Sequence, residues 1–318
     1  MKASNIKTVA VIGAGMISPG VAQNFAQTGF DVWIYARRPE VLPEAIARIR
    51  ANLTTMAQRG IIKEAQIEPV IKQVKTTSDL AEAAKSSQLI IECIAEHLET
   101  KQDMFQRLDQ LCSLDTIIAS NSSVISPTQI SAKSTHRERM LGAHFWNPAH
   151  LIPCVEVIKA KDTSEEAFQA TYEVLQKAGK HPVKCLKDVP GFIANRLQHA
   201  LWREAISIVE HGIADPATVD EAIKSAFAIR LPVLGPIENA DMVGLDLTLS
   251  IHNTVLKAIE SRPGPSPLLE EKVKKGELGF KSGKGFLSWT PEQIKASRER
   301  LNNYLLDWLE RESKQKKQ

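Results

Sequence analysis

The strongest constraint on the fold lies close to the start of the chain. Thr8-Val9-Ala10-Val11-Ile12 is a continuous apolar, β-branched run suited to a parallel strand buried on both faces. It turns at once through Gly13-Ala14-Gly15-Met16-Ile17-Ser18-Pro19-Gly20. Gly13 permits a tight turn. Gly15 lets backbone amides approach a pyrophosphate, whose charge the free amides and positive end of the next helix then hold. Ser18 stands where the dinucleotide fingerprint has a third glycine, but serine is small and Pro19 suits a first helical turn. Strand, glycine turn and helix in this order predict an α/β chain with an N-terminal doubly wound Rossmann sheet and a bound dinucleotide.

The second strand, Asp31 to Tyr35, leads to the position that reads the adenosine ribose. An NAD site usually carries an acid there, about 20 residues past the glycines. Here stand Ala36, Arg37 and Arg38, whose guanidinium groups can grip a 2′-phosphate, so the local chemistry favours NADP over NAD. NAD bound without an acidic contact is the alternative. The segment that follows is longer than a crossover needs and repeats Ile46, Ile49, Leu53 and Met56 at helical spacing before Gly60, which predicts a helical arm. Its Arg48, Arg50, Arg59 and Lys63 can meet a phosphorylated substrate, with Arg59 and Lys63 as candidates for the substrate's nucleotide end, or can simply be solvated. Leu89 to Ile94 predicts another buried strand, and Glu96 and Lys101 beyond it are candidates for the nicotinamide end of the coenzyme. An exposed helical ion pair is the plainer reading.

Thr116 to Ala119 is a strand ending in Ser120-Asn121-Ser122-Ser123, small polar residues that orient a ligand oxygen or cap the helix after Pro127. Farther on, Ile152 to Ile158 is a strand with a single charge, Glu156, which needs a partner if its neighbours bury it. His144, on a short non-helical turn closed by Asn147-Pro148, is the nearest suitable one. A histidine bonded to a carboxylate has its tautomer fixed and its basicity raised, and such a dyad takes a proton from an alcohol. A structural histidine and a solvated strand face would look the same from these two residues alone.

Composition removes other classes. With 43% hydrophobic and 24% charged residues, the 318-residue chain has the make-up of a soluble globular protein with room for two cores. A net charge of +3 without clustered basic residues gives no footing for nucleic acid or a membrane surface. Cys93, Cys112, Cys154 and Cys185 are far apart, with no C-x-x-C pair, which points to the cytoplasm and to no metal site. No apolar stretch approaches the roughly 18 residues a membrane helix needs. The Lys-rich end, Lys314 to Gln318, reads as a frayed tail.

Taken together, Gly13-x-Gly15, Glu96 with Lys101, Asn121-Ser122-Ser123, the His144-Phe145-Trp146-Asn147-Pro148 segment, Glu156 and Asp188-Val189-Pro190-Gly191-Phe192-Ile193-Ala194-Asn195-Arg196 stand in a characteristic order. So do Gly235-Pro236 with Asp241 to Asp246, and Gly279 to Phe286. In order and spacing the chain resembles the L-3-hydroxyacyl-CoA dehydrogenases over nearly its whole length. The resemblance implies that His144 is the general base on the 3-hydroxyl and Glu156 its orienting partner. It implies that Ser123 and Asn195 hydrogen-bond the reacting oxygen beside Asn147 on the substrate side, and that Gly13, Gly15, Ser18, Glu96, Lys101 and Asn121 hold the coenzyme. It also implies a Rossmann domain over 1–187 and an all-helical domain over 188–318 that carries substrate and dimer contacts. The first helix of that second domain should begin at Phe192, and another at the Asp215-Pro216 cap. Relatives with the same dyad oxidise free hydroxy acids such as sugar acids or carnitine, so acyl-CoA and free-acid substrates both remain open. A non-catalytic protein of the same fold is the reading from another class, and the retained dyad speaks against it.

Overall fold

A computed structural model describes residues 2–315. Eight strands form one sheet: β1 (Thr8–Ile12), β2 (Asp31–Tyr35), β3 (Val74–Thr77), β4 (Leu89–Glu92), β5 (Ile117–Ser120), β6 (Met140–Phe145), β7 (Cys154–Ile158) and β8 (His181–Cys185). Their order is β3-β2-β1-β4-β5-β6-β7-β8, parallel throughout except for the antiparallel β6–β7 pair. The order reverses between β1 and β4, and in such sheets ligands bind beyond the carboxyl ends of the strands at that point.

Alternation along each strand divides the core. Val9 and Val11 of β1 point to one layer, together with Leu89 and Ile91 of β4, while Ala10, Ile12 and Ile90 point to the other. The first layer is closed by α1 (Ser18–Gln27), α2 (Leu42–Gln58), α3 (Ile67–Lys72) and, later in the chain, the helix Glu165–Lys177. The second is closed by α4 (Leu80–Lys85), α5 (Leu98–Leu111) and α6 (Pro127–Ile130), with Phe105, Leu108 and Ile130 fully buried. Glu165–Lys177 is α7. The expected arm is seated rather than free, because Ile49 and Leu53 of α2 are fully buried in the first layer.

Beyond β8 the chain is helical: α8 (Ala194–Glu210), α9 (Pro216–Ser225), α10 (Pro236–Val243), α11 (Leu245–Val255), α12 (Pro267–Lys274) and α13 (Pro291–Gln315). Asp215 caps α9, accepting from the amides of Ala217 and Thr218 as its sequence predicts. Phe192 stays outside α8, where a helix start was expected, because its backbone is left-handed with φ 49°. Of the Lys-rich end, Lys314 and Gln315 continue α13, and Lys316, Lys317 and Gln318 lie outside the described residues. No helix among the described residues is long and apolar enough to cross a membrane.

Two compact units result, and their limits differ from a division at 187/188. The first runs to Asn195 and regains the chain from Leu301; the second spans Arg196–Arg300. The expected second domain thus loses its final segment. The reason is a small apolar cluster: Leu306, with Leu305 and Leu309, packs on Met56 and Leu151 beside Ile61 and Ile62. Leu306→Ala should lower the unfolding free energy by about 2 kcal/mol, the lower end for a buried leucine truncation, read from urea denaturation. An unchanged midpoint would show that the segment does not dock.

Candidate active site

The dyad follows from strand register. His144 lies within β6, not on the turn expected of it, because all of Met140 to Phe145 is buried between the layers. Antiparallel pairing sets His144 directly opposite Glu156 of β7. The imidazole Nδ1 lies 2.8 Å from Glu156 Oε2. The other carboxylate oxygen, Oε1, accepts the amides of Ile193 and Ala194, each at 2.9 Å. Glu156 is completely buried, so the solvated-strand reading fails. Burial pushes its carboxyl up, but the His144 bond and the two amides outweigh that and hold it below the ordinary range. Since a carboxylate only accepts, Nδ1 carries the hydrogen, and in the neutral ring Nε2 keeps its lone pair. Nε2 has no hydrogen-bond partner among the described residues. The ring is framed by Trp146 and Phe192, with centroids 5.3 and 5.9 Å away.

Ser123 and Asn195 are brought together, since Asn195 Nδ2 donates to the Ser123 carbonyl at 3.2 Å. Asn121 is committed to the sheet: its Oδ1 accepts the Phe145 amide at 2.8 Å, which fixes the strand end after His144. Asn147 is exposed, with Nδ2 3.7 Å from Met16 Sδ of the glycine turn.

The glycine turn fits a dinucleotide. Gly13 has φ 119°, and a Cβ there would stand 2.7 Å from the Cys93 carbonyl oxygen, so only glycine is accommodated. A Cβ on Gly15 would meet nothing within 4 Å, leaving its backbone open to a ligand. Ser18 is fully buried in the first turn of α1, and the close approach is made by Gly20, whose Cβ would lie 3.1 Å from the His150 amide. Ala36 is buried, while Arg38 lies 3.7 Å from Glu40 with both side chains largely exposed.

Glu96 and Lys101 do not form the exposed helical pair of the plainer reading. Lys101 is 1% exposed, its Nζ 2.7 Å from Glu92 Oε1 and 3.3 Å from Glu96 Oε2. Glu96 Oε1 accepts the Ser122 hydroxyl and the amides of Ser123 and Val124. Burial raises the Glu96 carboxyl, but the Ser122 bond and the Lys101 charge bring it below the ordinary range. Sequence reading missed Glu92, although it carries the signal that exposed Glu156, a single charge in an apolar strand. It also missed Lys180, buried with Nζ donating to the carbonyls of Ala149 and Ile152 on the loop after His144. The substrate candidates Arg59 and Lys63 share no hydrogen bond with this group among the described residues. Arg59 pairs with Asp307, and Lys63 is exposed.

Comparison with known proteins identifies the family. The family model described as 3-hydroxyacyl-CoA dehydrogenase, NAD binding domain, matches residues 8–189, and that of the C-terminal domain of the same family matches 191–289. The probable 3-hydroxybutyryl-CoA dehydrogenase of Bacillus subtilis is 37% identical over 285 residues, 89% of this chain and 98% of that one. The 5-formyl-3-hydroxy-2-methylpyridine 4-carboxylate 5-dehydrogenase of Mesorhizobium japonicum is 35% identical over 92% of this chain and 93% of its own. A crystal structure of a dehydrogenase of that last substrate, described as NAD⁺ dependent, superposes with a TM-score of 0.87 at 32% identity, covering 95% of this chain and 97% of that one. The (S)-3-hydroxybutyryl-CoA dehydrogenase of Ralstonia eutropha gives a TM-score of 0.77 at 30% identity, covering 90% and 100%. The chain is therefore a member of the 3-hydroxyacyl-CoA dehydrogenase family and an oxidoreductase with an NAD-binding domain.

Proposed function

We propose that the chain interconverts an L-3-hydroxyacyl-CoA and the 3-ketoacyl-CoA, with His144 as proton acceptor and donor and Glu156 as its charge partner. The observation that carries this reading is the buried 2.8 Å contact that leaves Nε2 with a free lone pair. Nε2 takes the proton of the substrate's 3-hydroxyl on oxidation and returns it on reduction. The imidazolium so formed sits against a carboxylate already held anionic, so the charge appears where it is compensated. A bound nicotinamide coenzyme supplies the hydride acceptor or donor. Asn195, tied to the Ser123 carbonyl, and the Ser123 hydroxyl hold the reacting oxygen. The expected 2′-phosphate grip of Arg37 and Arg38 gains no support from the family match, which names NAD, so NAD is the proposed coenzyme.

A second reading, a free hydroxy acid as substrate, is favoured by one observation. Three of the basic residues expected to meet a nucleotide are paired, Arg48 with Glu44, Arg50 with Glu68 and Arg59 with Asp307. The Mesorhizobium relative is named for a pyridine carboxylate.

Three outcomes are expected. His144→Asn lowers kcat about a hundred- to ten-thousand-fold, the usual contribution of a general acid–base, while NADH affinity measured by fluorescence is retained. An activity loss below tenfold would remove His144 from the proton path. Because the Glu156 carboxyl is depressed in the folded chain, its stability contribution is present above the unfolded value of 4.5 and is lost as pH falls through the lower folded value. Wild type should accordingly lose urea stability more steeply than Glu156→Gln as pH falls from 4.5 toward the folded value, and parallel curves would show that the carboxylate is not so held. Finally, acetoacetyl-CoA and short free 3-keto acids are compared with NADH and NADPH as reductants. Reduction of acetoacetyl-CoA with NADH, weakened by Arg59→Ala/Lys63→Ala, is expected. Faster turnover of the free acids, untouched by that double variant, would select the second reading, and a preference for NADPH would restore the role of Arg37 and Arg38.

A further inference from the structure

We infer that Glu92 sets the charge of the coenzyme crevice and tilts it toward the oxidised coenzyme; this rests on the NAD-binding reading. Glu92 is the last residue of β4, in register with Ile12 of β1 on one side and Ser120 of β5 on the other. That is the point where the strand order reverses and where coenzymes bind in sheets of this kind. The next carbonyl, that of Cys93, is the one a Gly13 side chain would strike, so Glu92 is one peptide from the glycine turn.

Its carboxyl is completely buried and receives donors only. Oε1 accepts Lys101 Nζ at 2.7 Å and the Ile94 amide at 2.7 Å. Oε2 accepts the Ser120 hydroxyl at 2.7 Å, and that hydroxyl itself accepts the Ser122 amide at 3.2 Å, so its hydrogen points at Glu92. Three donors and no acceptor meet this carboxyl, the pattern that suits a carboxylate. Lys101, 3.3 Å from Glu96, would form a neutral pair with it. With Glu92 included the cluster holds two carboxylates and one ammonium, a net charge of −1, with Glu92 and Lys101 buried and Glu96 partly exposed.

An oxidised nicotinamide ring is positive and a reduced one neutral. A fixed negative cluster stabilises the first and leaves the second nearly unaffected. Glu92 acts through Lys101 and the strand ends, as a positioning residue, without touching substrate. A purely structural brace joining β4, β5 and α5 would instead treat both redox forms alike.

The dissociation constants of NAD⁺ and NADH, measured by calorimetry and by nicotinamide fluorescence, separate the two. Glu92→Gln should raise the ratio of the NAD⁺ constant to the NADH constant roughly tenfold, by the Coulomb energy of one charge at close range. Glu96→Gln, whose side chain is partly exposed, should move the ratio the same way. The double variant Glu92→Gln/Lys101→Met removes one charge of each sign and should keep the wild-type ratio. If both constants change by a common factor in the single variants, the inference is overturned while the coenzyme reading stands. Should Glu92→Gln show no cooperative thermal transition, an unmoved ratio in Glu96→Gln overturns it. A wild-type protein that binds neither coenzyme defeats the coenzyme reading and this inference with it.

Discussion

A carboxylate placed beyond the reach of water has to be met by donors, and Glu156 is met from two directions. Across the β6–β7 ladder it receives His144, and from the start of α8 the amides of Ile193 and Ala194. Those two amides follow a left-handed pair, Gly191 at φ 78° and Phe192 at φ 49°, which turns consecutive N–H groups toward one oxygen. A left-handed non-glycine residue costs about 1–3 kcal/mol and persists only where its surroundings over-determine it. Here the Phe192 ring is buried against Ile158 and Cys185, and the backbone beside it is tied to the carboxylate. One side chain thus fixes the histidine tautomer and also places Asn195, the residue after the second amide. Removing either partner of such a buried pair costs about 3–5 kcal/mol, so the proposed catalytic geometry and local stability are coupled at this position.

Glu92 and Glu156 are chemically the same solution put to different uses. Each is a lone charge in an apolar strand, fully buried, with three donors. What differs is the side-chain partner. Lys101 bridges Glu92 and Glu96, so in its inferred role the Glu92 cluster would present a constant field. In the proposed reaction His144 gains and loses a proton, so the charge of the Glu156 pair would change with each turnover. A fixed field suits a site where a ligand's charge changes, and a titrating pair suits one where a proton moves.

Much of this could be read from the residues because it depends on short-range patterns. The strands Thr8–Ile12 and Asp31–Tyr35 match their apolar runs to the residue, and Asp215 caps the helix its Asp-Pro pair announces. The dyad was visible because an unpaired charge in a buried strand demands a partner. Other features depend on contacts between segments far apart in sequence, which no local period reports. His144 looked like a turn residue because Asn147-Pro148 dominates its neighbourhood, whereas pairing with β7 extends the strand through Phe145. Glu92 carried the informative signal, yet Glu96 and Lys101 drew attention as the residues expected beyond the strand end. The return of α13 to the first unit was illegible, since an amphipathic stripe states that a face is covered without stating by what.

That return bears on what the site accepts. The Arg59–Asp307 pair is partly exposed on both sides, and such pairs are worth about 0–1 kcal/mol, so a phosphate could displace Asp307 at small cost. The ion pair by itself therefore does not close α2 to a nucleotide. The apolar seat beneath it is the stronger barrier, because lifting Leu306 from Met56 and Leu151 exposes buried hydrocarbon at about 25 cal/mol per Å². In the proposed acyl-CoA reading, a nucleotide reaching α2 would bind with α13 in place, exchanging Asp307 for phosphate and finding exposed Lys63 nearby in sequence. A free acid needs none of these rearrangements. The proposed dyad chemistry does not distinguish the two substrates, so in the acyl-CoA reading the contacts of α13 with α2 would be where they differ.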